Sequence, residues 1–300
     1  MGLGVLGVIC AASIVVLVFS IIYKQLPAID SLTDYRPKIP LRVYSAEGTL
    51  IGEFGEERRD FVHLKDMPAF VKNAVLAAED NGFYQHSGIE FSGIARAALS
   101  NLLTGRKGQG GSTITMQVAR NFFLSSERTY TRKIYEVAMA YKIERHLTKD
   151  QILEVYLNQI YLGQRSYGFA AAAQAYFGKK LNELSVGEAA TIAGLPVAPS
   201  SYNPIVNPKR ATMRKNYVLG RMRDLGYIDE ATYEHEKAAP LIAKNQKAEA
   251  DVAAIKSVHA EYAAELVRML MHDEFKDETY TRGINVWTTI RDADQQAAWK

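Results

Sequence analysis

The spacing of apolar residues changes along the chain, and each change predicts a different kind of element. Residues 3–23, "LGVLGVICAASIVVLVFSIIY", carry no charge and no polar face, over about the length that spans a bilayer core. The run is long for a signal peptide and reaches Ile21, Ile22, Tyr23 and Lys24 without a small-x-small cleavage site, so residues 1–24 read as a retained transmembrane helix. No Lys or Arg precedes it and Lys24 follows it, which gives the positive-inside rule no support for an outward-facing domain. Residues 25–65 form a connector in which Pro27, Pro37 and Pro40 forbid a long helix. Within it, "LRVYSAEGTLIGEF" alternates on both sides of Glu47-Gly48 and predicts a small β-hairpin.

From residue 66 to 238 the period is helical. Thr148 and Gln151 make a capping box ahead of Ile152, Leu153, Tyr156, Leu157 and Ile160, and Ser185 with Glu188 repeats the device. Asn207 is placed to cap a helix with Pro208 at its first position, and Gly226 to end it. Residues 131–146 put Ile134, Val137, Ala138 and Tyr141 on one predicted face. No repeat of 20–50 residues is visible. The class is mainly α, with helix packed on helix. Residues 239–282 are polar and Ala-rich, reading as a linker or the start of an inserted region with a helix at 258–276. Residues 283–300 then open a strand and a helix, as the truncated start of a further part.

Composition changes this picture little. Three hundred residues, 48% hydrophobic and 23% charged, are globular, and a net charge of +3 is too small to argue for nucleic acid. Lys209, Arg210, Arg214, Lys215, Arg221 and Arg223 cluster either as a solvated helix face or as a surface toward anionic lipid. The single cysteine, Cys10, supports neither a disulfide framework nor a cysteine zinc site.

Three stretches carry chemistry. In "AAEDNGFYQHSG", Glu79 and Asp80 leave a helix of small apolar residues beside Phe83 and Tyr84. Burial and a neighbouring charge would raise the pKa of Glu79 toward that of a general base, whereas a solvated helix end would not. In "GRKGQGGSTITMQVARNFF", glycines lead into Ser112, Thr113 and Thr115 at a predicted helix start, with Gln117 and then Arg120 beyond. That is either an oligophosphate or sugar cradle or a plain loop before a capped helix, and it lacks the Gly-Lys-Ser/Thr of a Walker A loop. In "SSERTYTRKIYE", Arg128, Arg132 and Glu136 follow at i+4, with Lys133 and Glu136 at i+3. Cations around one carboxylate can neutralise a departing phosphate, or the carboxylate can hold a metal that does so. The alternative is an exposed ion-pair ladder of little energetic weight.

Glu79-Asp80…Phe83…His86-Ser87-Gly88, "GSTITMQ" at 111–117, Arg132-Lys133-Ile134-Tyr135-Glu136, "KDQILEVYLNQIYLG" and "AGLPVAPSSYNP" occur in this order. Together they resemble the successive motifs of the peptidoglycan glycosyltransferase (transglycosylase) domain of class A penicillin-binding proteins, over roughly residues 40–235. Met116 departs from the pattern, standing where the family often has a second glutamine; this substitution is expected to tune substrate contact. The resemblance implies a lysozyme-like helical domain at residues 66–238, held on the outer, periplasmic side of the bacterial inner membrane by a single span. It implies polymerisation of lipid II into β-1,4-linked glycan with inversion and release of undecaprenyl pyrophosphate. It implies Glu79 as the base on the acceptor hydroxyl. Glu136 becomes the second carboxylate, assisting departure directly or through a divalent cation, Mg or Mn. Arg120, Arg128, Arg132 and Lys133 would approach the pyrophosphate, and Ser112, Thr113 and Gln117 would line the cleft. Residues 91–105, "FSGIARAALSNLLTG", are either core or a membrane-touching flap, and the resemblance favours the flap.

Partners implied are lipid II, the growing strand, membrane lipid and other cell-wall synthesis proteins, with no nucleic acid. An inverting transfer needs room for the acceptor sugar between two well-separated carboxylates. Two rivals stand beside this reading. One is a lysozyme-like muramidase using Glu79 as acid; the other is a non-catalytic membrane-anchored scaffold. No serine here has a lysine three positions on, so the cross-linking activity expected of a bifunctional parent has no nucleophile in this chain.

Overall fold

The computed structural model describes residues 20–29, 32, 39–55, 58–91, 93, 111–124, 130–243 and 258–299. The predicted anchor up to residue 19, the predicted flap apart from Phe91 and Gly93, Arg128, and residues 244–257 of the predicted linker lie outside these. Among the described residues no helix is long and apolar enough to cross a membrane. The chain divides into two units, Met1–Tyr35 with Glu79–Tyr156 and Arg36–Ala78 with Leu157–Lys300.

In the second unit the alternating segment forms the hairpin. Strands β1 (Leu41–Tyr44) and β2 (Leu50–Phe54) pair antiparallel, with Leu41 opposite Phe54 and Arg42 opposite Glu53. Arg42 bridges Glu53 across the pair at 3.1 Å. The expected strand near residue 285 also forms, as β5 (Asn285–Trp287), but it joins the hairpin itself. It lies parallel to β1 on the side away from β2, with Val286 opposite Val43. Leu41, Val43 and Ile51 form a small core with Val258 and Ala260, closed by Val267 and Met271 of the helix Glu261–Phe275. A two-stranded parallel pair joins β3 (Arg58–Arg59) to β4 (Ser166–Tyr167).

The helices in order are α1 (Ala69–Glu79), α2 (Ile114–Phe123), α3 (Tyr130–Glu144), α4 (Lys149–Gln159), α5 (Phe169–Phe177), α6 (Val186–Ala193), α7 (Pro208–Asp224), α8 (Glu230–Ala238), α9 (Glu261–Phe275) and α10 (Asp292–Trp299). The expected devices are at work at several ends. Thr148 and Gln151 exchange bonds ahead of α4, and Ser185 and Glu188 form the capping box of α6. Gly226, at φ 73°, takes the left-handed turn just past α7 that a side chain resists. Asn207 departs from expectation: its side chain does not cap α7 but donates to the Ser200 carbonyl at 3.2 Å.

A second departure concerns α3 in the first unit. Its buried stripe is Glu136, Met139, Ala140 and Ile143, joined by Ala138, while Ile134 is 46% and Tyr141 36% exposed. α3 packs against α2, and its buried stripe combines Ala138 and Ala140 with the larger Met139 and Ile143. Ile134 and Tyr141 face outward, where the end of the N-terminal segment runs. Tyr23 meets Tyr141 edge-on at 6.3 Å, and the Lys142 ammonium donates to the carbonyls of Leu26 at 3.2 Å and Pro27 at 2.8 Å.

Candidate active site

The site is built where α1 ends. Val71, Ala74, Val75 and Ala77 are buried, so α1 is packed closely along its length and its last residue, Glu79, is carried to a half-buried position. The chain then turns back on itself, Phe83 N–H donating to Asp80 C=O at 3.2 Å. Asp80 is 5% exposed and is not a solvated helix end. One of its carboxylate oxygens accepts the first amide of α2, from Ile114 at 2.9 Å, satisfying one of the donors a helix start leaves open. Both of its oxygens lie 3.1 Å from His86 Nε2, and His86 Nδ1 accepts from Gly88 N–H at 3.1 Å. With Nδ1 accepting, the ring proton sits on Nε2 and points at Asp80.

Gly88 has φ +87°, and a Cβ there would meet Glu144 Cγ at 3.0 Å and the Ala140 carbonyl oxygen at 3.1 Å. The loop therefore lies flat on α3. Lys149 sits 4.4 Å over the Phe83 ring and pairs with Glu144 at 2.7 Å, which in turn accepts the Thr115 hydroxyl at 2.6 Å. Asp80→Ala removes the shared anchor of loop and helix. It is expected to lower unfolding free energy by about 2 kcal/mol, read as a fall in thermal midpoint.

On α2, Thr113 is the N-cap. Its hydroxyl oxygen accepts from Met116 N–H at 3.2 Å and its proton goes to the Gly88 carbonyl at 2.6 Å. At 3% exposure it holds the helix start. Met116 is wholly buried, so the departure from the family pattern falls in the core. Gln117 faces Glu79: its amide donates to Glu79 Oε2 at 2.8 Å, and its carbonyl oxygen accepts from the Tyr156 hydroxyl at a long 3.4 Å. Arg120 is half-buried, and its charge is felt at that hydroxyl. Burial first, and then the charges of Glu79 and Asp80, push the Tyr156 hydroxyl well above its usual range, so it stays a donor.

On α3, two of the cations singled out from sequence meet one carboxylate. Glu136 is 1% exposed, with Oε1 3.1 Å from Arg132 Nε and Oε2 2.7 Å from Lys133 Nζ. Lys133 also donates to the Ser112 hydroxyl at 2.7 Å, tying the start of α2 to the ladder, and its side chain remains 44% exposed. Two of its three protons are used inside the protein, which leaves one for an anion. The donor set does not suit a divalent cation at Glu136. Both oxygens already face cations, and among the described residues no group of three His, Cys, Asp or Glu side chains comes together.

Of the residues singled out from sequence, the structure links Glu79 to Gln117, and Ser112 to Lys133, Arg132 and Glu136. It assigns Thr113 to capping; Arg128 lies outside the described residues. Tyr156 was read only as part of an apolar face. A tyrosine on a fully buried stripe needs a polar partner, and that was the available signal.

Comparison with known proteins finds matches along most of the chain. A family model described as Transglycosylase matches residues 47–223. Penicillin-binding protein 1A of Neisseria lactamica is 47% identical over 297 residues, covering 97% of this chain and 36% of its own length. The protein of that name from Pseudomonas aeruginosa is 47% identical over 274 residues, covering 91% of this chain and 33% of its own. The crystal structure of penicillin-binding protein 1A from Haemophilus influenzae matches with TM-score 0.50 and 34% identity, covering 87% of this chain and 28% of that one. The chain thus spans about a third of the length of these relatives.

Proposed function

The chain belongs to the transglycosylase family, and from that premise we propose that it polymerises lipid II into β-1,4-linked glycan, inverting the donor anomeric centre and releasing undecaprenyl pyrophosphate. The observation that carries this reading is a carboxylate, Glu79, gripped by Gln117, in the same unit as cations gathered on the buried Glu136. Glu79 removes the proton from the acceptor 4-hydroxyl as the new bond forms. The donor already carries a good leaving group, so the protein's second task is to neutralise charge on the departing pyrophosphate. Lys133 and Arg132, with Arg120 and Arg128, supply that charge. Glu136 acts by aiming Lys133 and Arg132. Ser112 and Gln117 hold partners on each side, and a wide gap between the two carboxylates leaves room for the acceptor sugar.

The apolar run at 3–23 serves as a single-pass anchor that keeps this chemistry at the outer face of the inner membrane, where a lipid-linked donor and the growing strand are both at hand. A hydrolase that cuts finished glycan would have no pyrophosphate for the cations to meet, and the ladder weighs against it. The test is to give the full chain lipid II in detergent and resolve products by length. Long strands from lipid II, with finished glycan left intact, support the transferase; shortening of finished glycan without polymerisation sinks it.

A further inference from the structure

The proposed base is held by an amide whose orientation the carboxylate itself dictates. An ionised carboxylate can only accept, so the face of Gln117 toward Glu79 must be the NH2 group, at 2.8 Å. Its carbonyl oxygen then points the other way, to the Tyr156 hydroxyl at 3.4 Å, and Tyr156 is 1% exposed. We propose that Tyr156 is a positioning residue that locks the Gln117 amide with its donors toward Glu79, and so keeps Glu79 competent as a base.

The lock works through the alternative it forbids. If the amide turned over, its oxygen would face Glu79 and could be met only by a protonated carboxyl, while its NH2 would meet the Tyr156 oxygen. The tyrosine proton would then lose its acceptor in a buried place, and that loss disfavours the turned state. With the lock in place, Gln117 donates to Glu79 and favours the carboxylate over the acid. Phenylalanine at 156 fills the same space without a hydroxyl and lifts the penalty. The amide becomes free to turn, and the protonated form of Glu79 gains a partner. The bond at 3.4 Å is long, which leaves it room to tighten when substrate closes the site. Charged groups on the neighbouring elements are unchanged in this variant, among them Asp80 and His86 in the loop, Arg120 on α2, Glu136 and Glu144 on α3, and Glu154 on α4.

The inference rests on Glu79 being the base, so the experiment carries its own control. Polymerisation of lipid II by the full chain is measured across pH for wild type, Tyr156→Phe, Gln117→Met and the double variant, with Glu79→Gln beside them. The expected result for Tyr156→Phe is an acidic limb of kcat/KM moved up by about one pH unit. With it come a several-fold loss of kcat below the shifted limb, an unchanged KM and a thermal midpoint near wild type. Gln117→Met removes the amide, so adding Tyr156→Phe to it should do nothing more. An acidic limb that stays put in Tyr156→Phe overturns the proposal, as does a further shift when the tyrosine is changed in the Gln117→Met background. Where Tyr156→Phe is poorly folded, Gln117→Met, which leaves Tyr156 in place, should by itself move the acidic limb up, and an unmoved limb there overturns the proposal. If Glu79→Gln keeps full polymerising activity, the base reading fails and this inference with it. If Glu79→Gln is inactive and the limb does not move, only the role of Tyr156 falls.

Discussion

Glu79→Gln is expected to lower kcat for lipid II polymerisation by about 10³-fold, close to 4 kcal/mol of barrier, while the chain folds as before. The substitution is nearly isosteric. Its amide can still receive the Gln117 donor at its oxygen, so the local packing, with Gln117 7% exposed, is kept. What is lost is the capacity to take a proton from the acceptor hydroxyl, together with the negative charge that acts on Tyr156. A general base contributes two to four powers of ten, and the donor's own leaving group sets the remaining barrier, so the expected loss lies inside that range. The measurement is strand yield per enzyme under single-turnover conditions, with KM followed separately. Because the loss belongs to the chemical step, KM should hold within about twofold. A variant that still polymerises at a tenth of wild-type rate would show that Glu79 is not the base. A variant that unfolds at lower temperature but polymerises normally would place Glu79 in the structure alone.

How much of this was open to reading before the structure depends on whether the interactions are local. Helix starts whose caps lie three residues apart, such as Thr148 with Gln151 and Ser185 with Glu188, are written in short stretches and were legible. So were the hairpin around Glu47-Gly48 and the i+3 and i+4 pairs of Glu136, because sequence spacing alone sets those distances. Pairings between distant stretches were not legible. The strand near residue 285 was expected, but not that it would lie beside β1, since no local pattern names a partner more than two hundred residues away. The facing of α3 went wrong for a related reason. Ile134 and Tyr141 are apolar enough to be read as core, yet folding turns Met139, Ala140 and Ile143 inward, and the spacing of apolar residues on α3 does not say which side is covered. Thr113 and Tyr156 share one lesson: a hydroxyl's role depends on which carbonyl folding brings to it, here those of Gly88 and Gln117.

Glu136→Gln is expected to reduce polymerisation by about 10²-fold and to destabilise the fold by about 3 kcal/mol, two losses with one cause. The wild-type carboxylate lies almost wholly buried between Arg132 at 3.1 Å and Lys133 at 2.7 Å. An amide of the same shape removes the negative charge and leaves two cations whose attraction to it had offset part of their desolvation, and breaking one side of a buried pair costs several kcal/mol. The same change turns one amide donor toward a cation, so Lys133 or Arg132 must swing away. The proton that Lys133 keeps for an anion then no longer sits where the pyrophosphate leaves, and the interaction lost is one that grows in the transition state. Lys133→Ala should therefore reproduce most of the kinetic loss with less of the stability loss, since Glu136 keeps Arg132. Chelator and added magnesium separate this account from a metal held at Glu136. If Glu136 works by aiming its two cations, removing divalent ions should change wild type and Glu136→Gln by the same factor. A wild type that depends steeply on magnesium beside a variant indifferent to it would mean that the carboxylate releases its cations to bind the ion, and the aiming role would be wrong.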